Sequence, residues 1–219
     1  NNNGTWSFED MHDDGIRGGD LTGADSRFSG LLTTHKSNRQ IVQFYVEART
    51  ESGQIIRLPR NAPEMPALYI VDNRSSSGDL RTMRFVVSAF DMGAISSGDS
   101  RKYNYKFPRL ANHYFNATFI SNEKDIYYNA SIRHTGSPWT RGNNLDRAKF
   151  KVSQDRPFRG RVKHRWDNDA SNSGRRHHNR ITRYMLYLLG HPGNENEFIQ
   201  VMINAGSPQL REDTEPVGN

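Results

Sequence analysis

Between Arg147 and Arg183 the chain collects its densest positive charge together with side chains able to do chemistry. Twelve basic residues lie there: Arg147, Lys149, Lys151, Arg156, Arg159, Arg161, Lys163, Arg165, Arg175, Arg176, Arg180 and Arg183. Three carboxylates oppose them (Asp155, Asp167, Asp169), so the segment carries +9 in a chain of +6, and the remainder sums to −3. Such a stretch in an otherwise mildly acidic protein is the footprint of a polyanion partner. Arg and Lys neutralise phosphates and release counterions, and the interleaved Phe150, Phe158, Trp166 and Tyr184 could stack on exposed bases. These twelve cations are therefore the candidate nucleic-acid-binding residues. The same pattern also fits a solvated face, and the same aromatics suit the core of a β-sandwich. No zinc finger, RNA-recognition signature or basic leucine zipper accompanies the charge, so binding is expected mainly through phosphates, with strong salt dependence.

The histidines of this segment raise a second chemistry. His177 and His178 are adjacent, with His164, Asp167 and Asp169 nearby, as a nuclease or metal site could use. Neighbouring residues on a strand point to opposite faces, so both histidines could ligate one ion only from a loop, which Asn172-Ser173-Gly174 could supply. Glu47 on one strand and Asp72 at the end of another resemble the acidic pair of a Mg²⁺ nuclease. The acidic start (Glu9, Asp10, Asp13, Asp14, Asp20, Asp25) could attract a hard cation, but lacks the spacing of an EF-hand loop. An alternative is that it meets the basic segment of a neighbouring copy. There is no G-x-S-x-G elbow, phosphate-binding loop or H-E-x-x-H, and no cysteine for a thiol nucleophile, a disulfide or a Cys-based zinc site. The expectation is a protein that is not an enzyme, with no cofactor and no metal. A metal-dependent nuclease using His177/His178 or Asp/Glu is the alternative, and a β-sandwich module for anionic glycans a further one.

The elements that would position these residues read as strands. Val42, Phe44, Val46 and Ala48 alternate with polar neighbours over 40–49, Leu80–Ala89 alternates about Met83, Phe85 and Val87, and Ile126–Arg133 about Tyr128, Ala130 and Ile132. Shorter strands are expected at 55–58, Ala67–Asp72, Ala148–Val152 and Gly160–Trp166, and a closing hairpin from Ile181–Leu189 and Phe198–Ile203. Pro59, Pro63 and Pro66 exclude a central strand between them. Residues 91–125 read as irregular, with a short helix at Leu110–Phe115. About eight short strands with Gly/Ser/Asn-rich loops predict an all-β sandwich or barrel in one domain over 38–205. An acidic, Gly-rich arm (1–37) precedes it and a polar, loose tail (206–219) follows.

The chain has 219 residues, is 34% hydrophobic and 11% aromatic, and contains no apolar run long enough to span a membrane. The absence of cysteine fits an intracellular life, and the start at Asn1 rather than Met suggests a processed form or fragment. The N-x-S/T matches at Asn3, Asn73, Asn116 and Asn129 are expected by chance in so Asn-rich a chain.

The order of these features resembles the coat proteins of small circular single-stranded DNA viruses, most closely the geminivirus and genomovirus type. Four passages over residues 80–205 carry the resemblance. Thr82–Asp91 (TMRFVVSAFD) looks like the apolar strand ending in a charged turn. Phe107-Pro108-Arg109-Leu110 through Asn122–Tyr128 looks like the aromatic loop leading into the next strand. Phe158–Asn168 (FRGRVKHRWDN) looks like the basic strand before a polar loop, and Asn179–Ile203 like the closing hairpin. The resemblance implies a single eight-stranded jelly-roll sandwich with long loops, self-assembling into an icosahedral-type shell around single-stranded nucleic acid, DNA first, with no membrane partner. It would be found in the virion, and in the host nucleus or cytoplasm during assembly. The family's N-terminal arm is basic whereas this chain opens acidic, so a basic arm would lie upstream of Asn1, and the family's zinc-finger-like cysteines are absent from the sequence.

Overall fold

The computed structural model describes residues 5–32, 37–74, 78–96, 112–136, 145–167, 178–191 and 196–214. The chain divides into two compact units, Asn1–Asn38 and Arg39–Asn219.

The first unit is loop built on its own carboxylates. Asp13 accepts from the backbone N–H groups of Asp25 and Ser26, Asp14 from Ile16 and Arg17, and Asp20 from Gly15 and Thr22. The bonds from the Arg17 N–H and side chain hold the Asp14 carboxyl far below its usual range, and the Gly15 N–H lowers that of Asp20. Asp13, Asp14, Asp20 and Asp25 are thus committed to turns, the role for which short acidic side chains are favoured.

The second unit is mostly β. Among the described residues, seven strands close into one barrel, in the order β5 (Arg81–Val86), β6 (Phe115–Ser121), β7 (Asp125–His134), β8 (Ala148–Lys151), β9 (Lys163–Asp167), β11 (Gln209–Thr214) and β10 (Asn196–Ile203). Neighbours are antiparallel except β10 with β5, whose parallel pairing (Val201 opposite Met83) completes the ring. Closure leaves these strands no edge. Two further pairs stand outside the barrel: β1 (Ile41–Phe44) with β4 (Ala67–Ile70), and β2 (Val46–Arg49) with β3 (Ile55–Leu58). The β1–β4 pair lies on the outer side of β6. The Leu68 N–H donates to Thr118 Oγ1 (3.1 Å), the Asn116 amide to the Pro66 carbonyl (2.7 Å), and Phe44 meets Tyr128 edge-on.

The all-β expectation holds, and most strands fall where alternation placed them. The described strands form a closed barrel with two small satellite pairs. Several local readings change, and the first is that β6 (Phe115–Ser121) is a strand within residues 91–125, which were expected to be irregular. The single strand over 40–49 is broken at Tyr45 into β1 and β2, which pair with different partners. Ala89, expected to end a strand, and residues 91–96, expected to be irregular, belong to helix α1 (Ala89–Ser96), capped by Ser88 and Asp91. Of the short helix expected at 110–115, Leu110 and Ala111 lie outside the described residues, and Phe115 starts β6.

The strand expected over Ile181–Leu189 is a helix, α2 (His178–Leu188). Its apolar residues recur at three- and four-residue spacing, which a run read as apolar on both faces conceals. Its end is a Schellman motif: Gly190 has φ of 77°, its N–H donates to the Tyr187 carbonyl (3.0 Å), and the His191 N–H to that of Leu186 (3.0 Å). The polar tail from 206 is not loose throughout, because β11 sits between β9 and β10. It carries no apolar alternation, since Arg211 and Glu212 are buried and Asp213 half-buried, each held by a polar partner.

The barrel interior is aromatic. Phe85, Phe119, Phe150 and Trp166 are fully buried, with ring centroids 4.9–5.0 Å apart for Phe85 against each of the other three. Trp166 Nε1 donates to the Leu145 carbonyl at 3.0 Å, so its one polar atom is satisfied. Trp166→Ala or Phe150→Ala should therefore cost about 3–5 kcal/mol. Urea unfolding would show this as a lower midpoint at unchanged slope.

Candidate nucleic-acid interface

Alternation on a closed barrel sorts the basic segment residue by residue. Ile132, Phe150 and His164 are cross-strand neighbours on β7, β8 and β9, and so are His134, Ala148 and Trp166; all six are buried. The residues between them must point outward. Arg133, Lys149 and Arg165 form one outward row across the three strands, and Ser131, Lys151 and Lys163 the next. Rows two residues apart are separated by about 7 Å and neighbouring strands by about 4.8 Å. The result is a lattice of cations on one wall of the barrel.

An aromatic ring lies on this wall. Tyr114 precedes Phe115, which pairs with Ile132, so Tyr114 extends the Arg133 row. Lys151 Nζ stands 4.2 Å from its ring centroid and the Arg133 guanidinium 5.0 Å, both within cation–π range. Arg147 and Arg165 flank the wall at its far end and share Asp167, at 3.0 and 2.5 Å. Beyond it the buried Glu212 of β11, hydrogen-bonded by the Asn196 amide, pairs in register with Asp167, so positive charge stops at β9. Among the described residues, Lys149, Lys151 and Lys163 have no carboxylate within ion-pair distance, so their charge is offered to solvent.

The other basic residues are placed differently. Arg156 donates to the Ile126 carbonyl (2.6 Å) and covers the Tyr127 ring. Arg159 and Gly160 both have positive φ (50° and 75°) and form the tight turn of the Phe158–Arg161 hairpin. That turn sends Arg159 to Glu197 (2.6 Å) and Asp213 (3.5 Å), while Arg81 holds Glu197 from the other side at 3.0 Å. Arg159 therefore acts within the fold. Arg161 follows the same turn, and Arg180 lies over the Phe198 ring. Arg183 is on α2, remote in sequence from the wall. Arg175 and Arg176 lie outside the described residues. Arg133 and Tyr114 complete the wall although neither lies in the basic segment; the alternation of β7 and its register with β8 are the signals that join them to it.

Among the described residues, those weighed for nuclease chemistry are not brought together. His164 faces the barrel core, stacked on Phe150 (4.7 Å between centroids) with Nε2 3.1 Å from the Arg161 carbonyl, and burial pushes its pKa down to about 4. His178 heads α2 and is exposed, and His177 and Asp169 lie outside the described residues. Glu47 is ion-paired with Arg49 and Arg57, and Asp72 with Arg74 and Arg84, on separate sheets. Among the described residues no three His, Asp or Glu side chains converge as a metal site would require.

No protein-family model matches the chain, and a search of curated proteins finds no match.

The Arg159 cluster carries a titration within the pH range of ordinary experiments. Burial, then the neighbouring Glu197, pushes the Asp213 carboxyl up to about 6. The folded protein therefore keeps that proton longer than the unfolded chain does. The resulting stabilisation is complete below the ordinary carboxylate pKa and is lost as pH rises through about 6. Asp213→Asn removes this loss and leaves Arg159 paired with Glu197. Between pH 4 and pH 7 the variant should gain roughly 2–3 kcal/mol of stability relative to the parent. Urea unfolding at the two pH values reads the difference.

Proposed function

We propose that this chain is a viral coat protein that assembles into a closed shell and packages single-stranded nucleic acid, with the outward wall of β7, β8 and β9 as the packaging surface. The observation that carries the reading is the cross-strand lattice of Arg133, Lys149, Lys151, Lys163 and Arg165 beside Tyr114. A strand wall gives several phosphate contacts at regular spacing with no helix or loop inserted into a groove. Contacts of that kind position a polyanion without reading its bases, which suits packaging. Tyr114 adds a ring face available to any base. The basic strand quoted for the resemblance, Phe158–Asn168, contributes β9 to this wall. On this reading the barrel, with the β1–β4 layer on β6, is this chain's form of the jelly-roll sandwich that the resemblance implies.

The reading requires particles. Negative-stain electron microscopy of purified protein should show uniform round shells whose absorbance at 260 nm exceeds that at 280 nm. A monomer that binds heparin as tightly as single-stranded DNA would contradict it and favour a glycan-binding module.

The wall also predicts how binding responds to salt. Replacing Lys149, Lys151 and Lys163 together by Ala should reduce the slope of log K against log salt for single-stranded DNA by about 2, from about 0.7 per phosphate contact. Arg159→Ala should leave that slope unchanged while lowering stability. Fluorescence anisotropy titrations across a salt series distinguish the two variants.

A further inference from the structure

The helix α2 is turned the wrong way for a helix that merely covers a barrel. Asn179 and Arg183, one turn apart, are its partly buried residues: the Asn179 amide reaches Glu212 at 3.5 Å, and Arg183 Nη1 is buried. Ile181, Tyr184, Met185 and Leu188 recur at three- and four-residue spacing on another side and are 54–64% exposed. A surface helix ordinarily buries such a stripe and wets its polar side. Here the polar side meets the protein and the apolar stripe faces out.

A second uncovered apolar surface lies on the same unit. In the β2–β3 hairpin, Val46 pairs with Leu58 and Ala48 with Ile56, which places these four on one face. Ile56 and Leu58 are 52% and 68% exposed. The opposite face carries an ion-paired cluster, with Glu47 bridging Arg49 and Arg57 at 2.9 Å each, and Ile55 beside it. A two-stranded hairpin is at best marginally stable in water and needs a layer against its apolar face. No other strand or helix packs substantially on this one among the described residues.

We propose that the α2 stripe of one copy covers the apolar face of the β2–β3 hairpin of a second copy. The occupant is a second copy because each chain carries both halves: a strand pair lacking a layer and a helix whose apolar stripe lacks a support. A lipid surface would engage α2 but leave the hairpin bare. Joining two different patches makes a heterologous contact, which repeats from copy to copy and closes when the rotation permits. This inference rests on the self-assembly reading above and names one of its interfaces.

The absence of cysteine makes the test direct. Full-length chains carrying Leu188→Cys are mixed with differently tagged chains carrying Ile56→Cys and oxidised gently. The mixed disulfide dimer should exceed either like-with-like dimer at least about tenfold, because only a close pair can be bridged. Leu188→Glu and Ile56→Glu, both at exposed positions, should each raise the concentration for half-assembly at least about tenfold in sedimentation velocity, with unchanged circular dichroism. A Leu188–Leu188 pairing, or no cross-link in particles that still contain nucleic acid, would overturn this interface while leaving the packaging reading in place. Flotation with phosphatidylserine vesicles that is lost in Leu188→Glu, without a cross-link, would assign the stripe to a lipid surface instead. A chain that stays monomeric and nucleic-acid-free would remove both the interface and the reading beneath it.

Discussion

The packing of Phe150 against Phe85, Phe119 and Trp166 inside a closed barrel is the constraint on which the rest of this molecule depends. Once Phe150 points in, Lys149 and Lys151 must point out, and the register with β9 forces the same on Lys163 and Arg165. The basic wall is thus the reverse side of the aromatic core. A slip of one residue in β8 would bury two lysines and expose a phenylalanine, so the register that stabilises the barrel also fixes the charge lattice.

Charge in this fold serves two ends. Arg159, Arg81, Arg84 and Arg211 are committed to carboxylates between strands: Arg84 is almost fully buried between Asp72 (2.6 Å) and Glu123 (3.0 Å), and Arg211 reaches Asp146 at 2.9 Å. Such pairs contribute little net stability over an apolar replacement, but removing one partner strands a buried charge, so they fix geometry. Among the described residues the lysines of the wall pair with no carboxylate, which leaves their charge to solvent. Arg and Lys thus divide much as their chemistry suggests, with the forked guanidinium used for pairing inside the fold and the ammonium for the open surface.

The strands were legible where one face is apolar and the other polar, as in β5, β7 and β8. They were not legible where burial is achieved by ion pairs. Arg211, Glu212 and Asp213 read as a polar tail because pairing with Asp146, Asn196 and Arg159 cannot be seen along the chain. The helix α2 was obscured because its stripe faces solvent, yet Leu189-Gly190-His191-Pro192 is the sequence of a helix C-cap and could have signalled it. The cationic segment was visible as composition, but composition treats Arg159 and Lys149 alike. The tight turn at Arg159–Gly160 sends one residue to brace the barrel, the register of β8 turns the other outward, and register brings Arg133 and Tyr114 to the wall.

On the proposed function, nucleic acid lies on the outward wall of β7, β8 and β9. Ultraviolet cross-linking of the protein to single-stranded DNA, followed by peptide mapping, tests it most directly. Cross-links are expected at Tyr114 and on peptides containing Lys149, Lys151 and Lys163. Cross-links confined to α2 or to the Thr5–Leu32 loop unit, with the wall untouched, would contradict it.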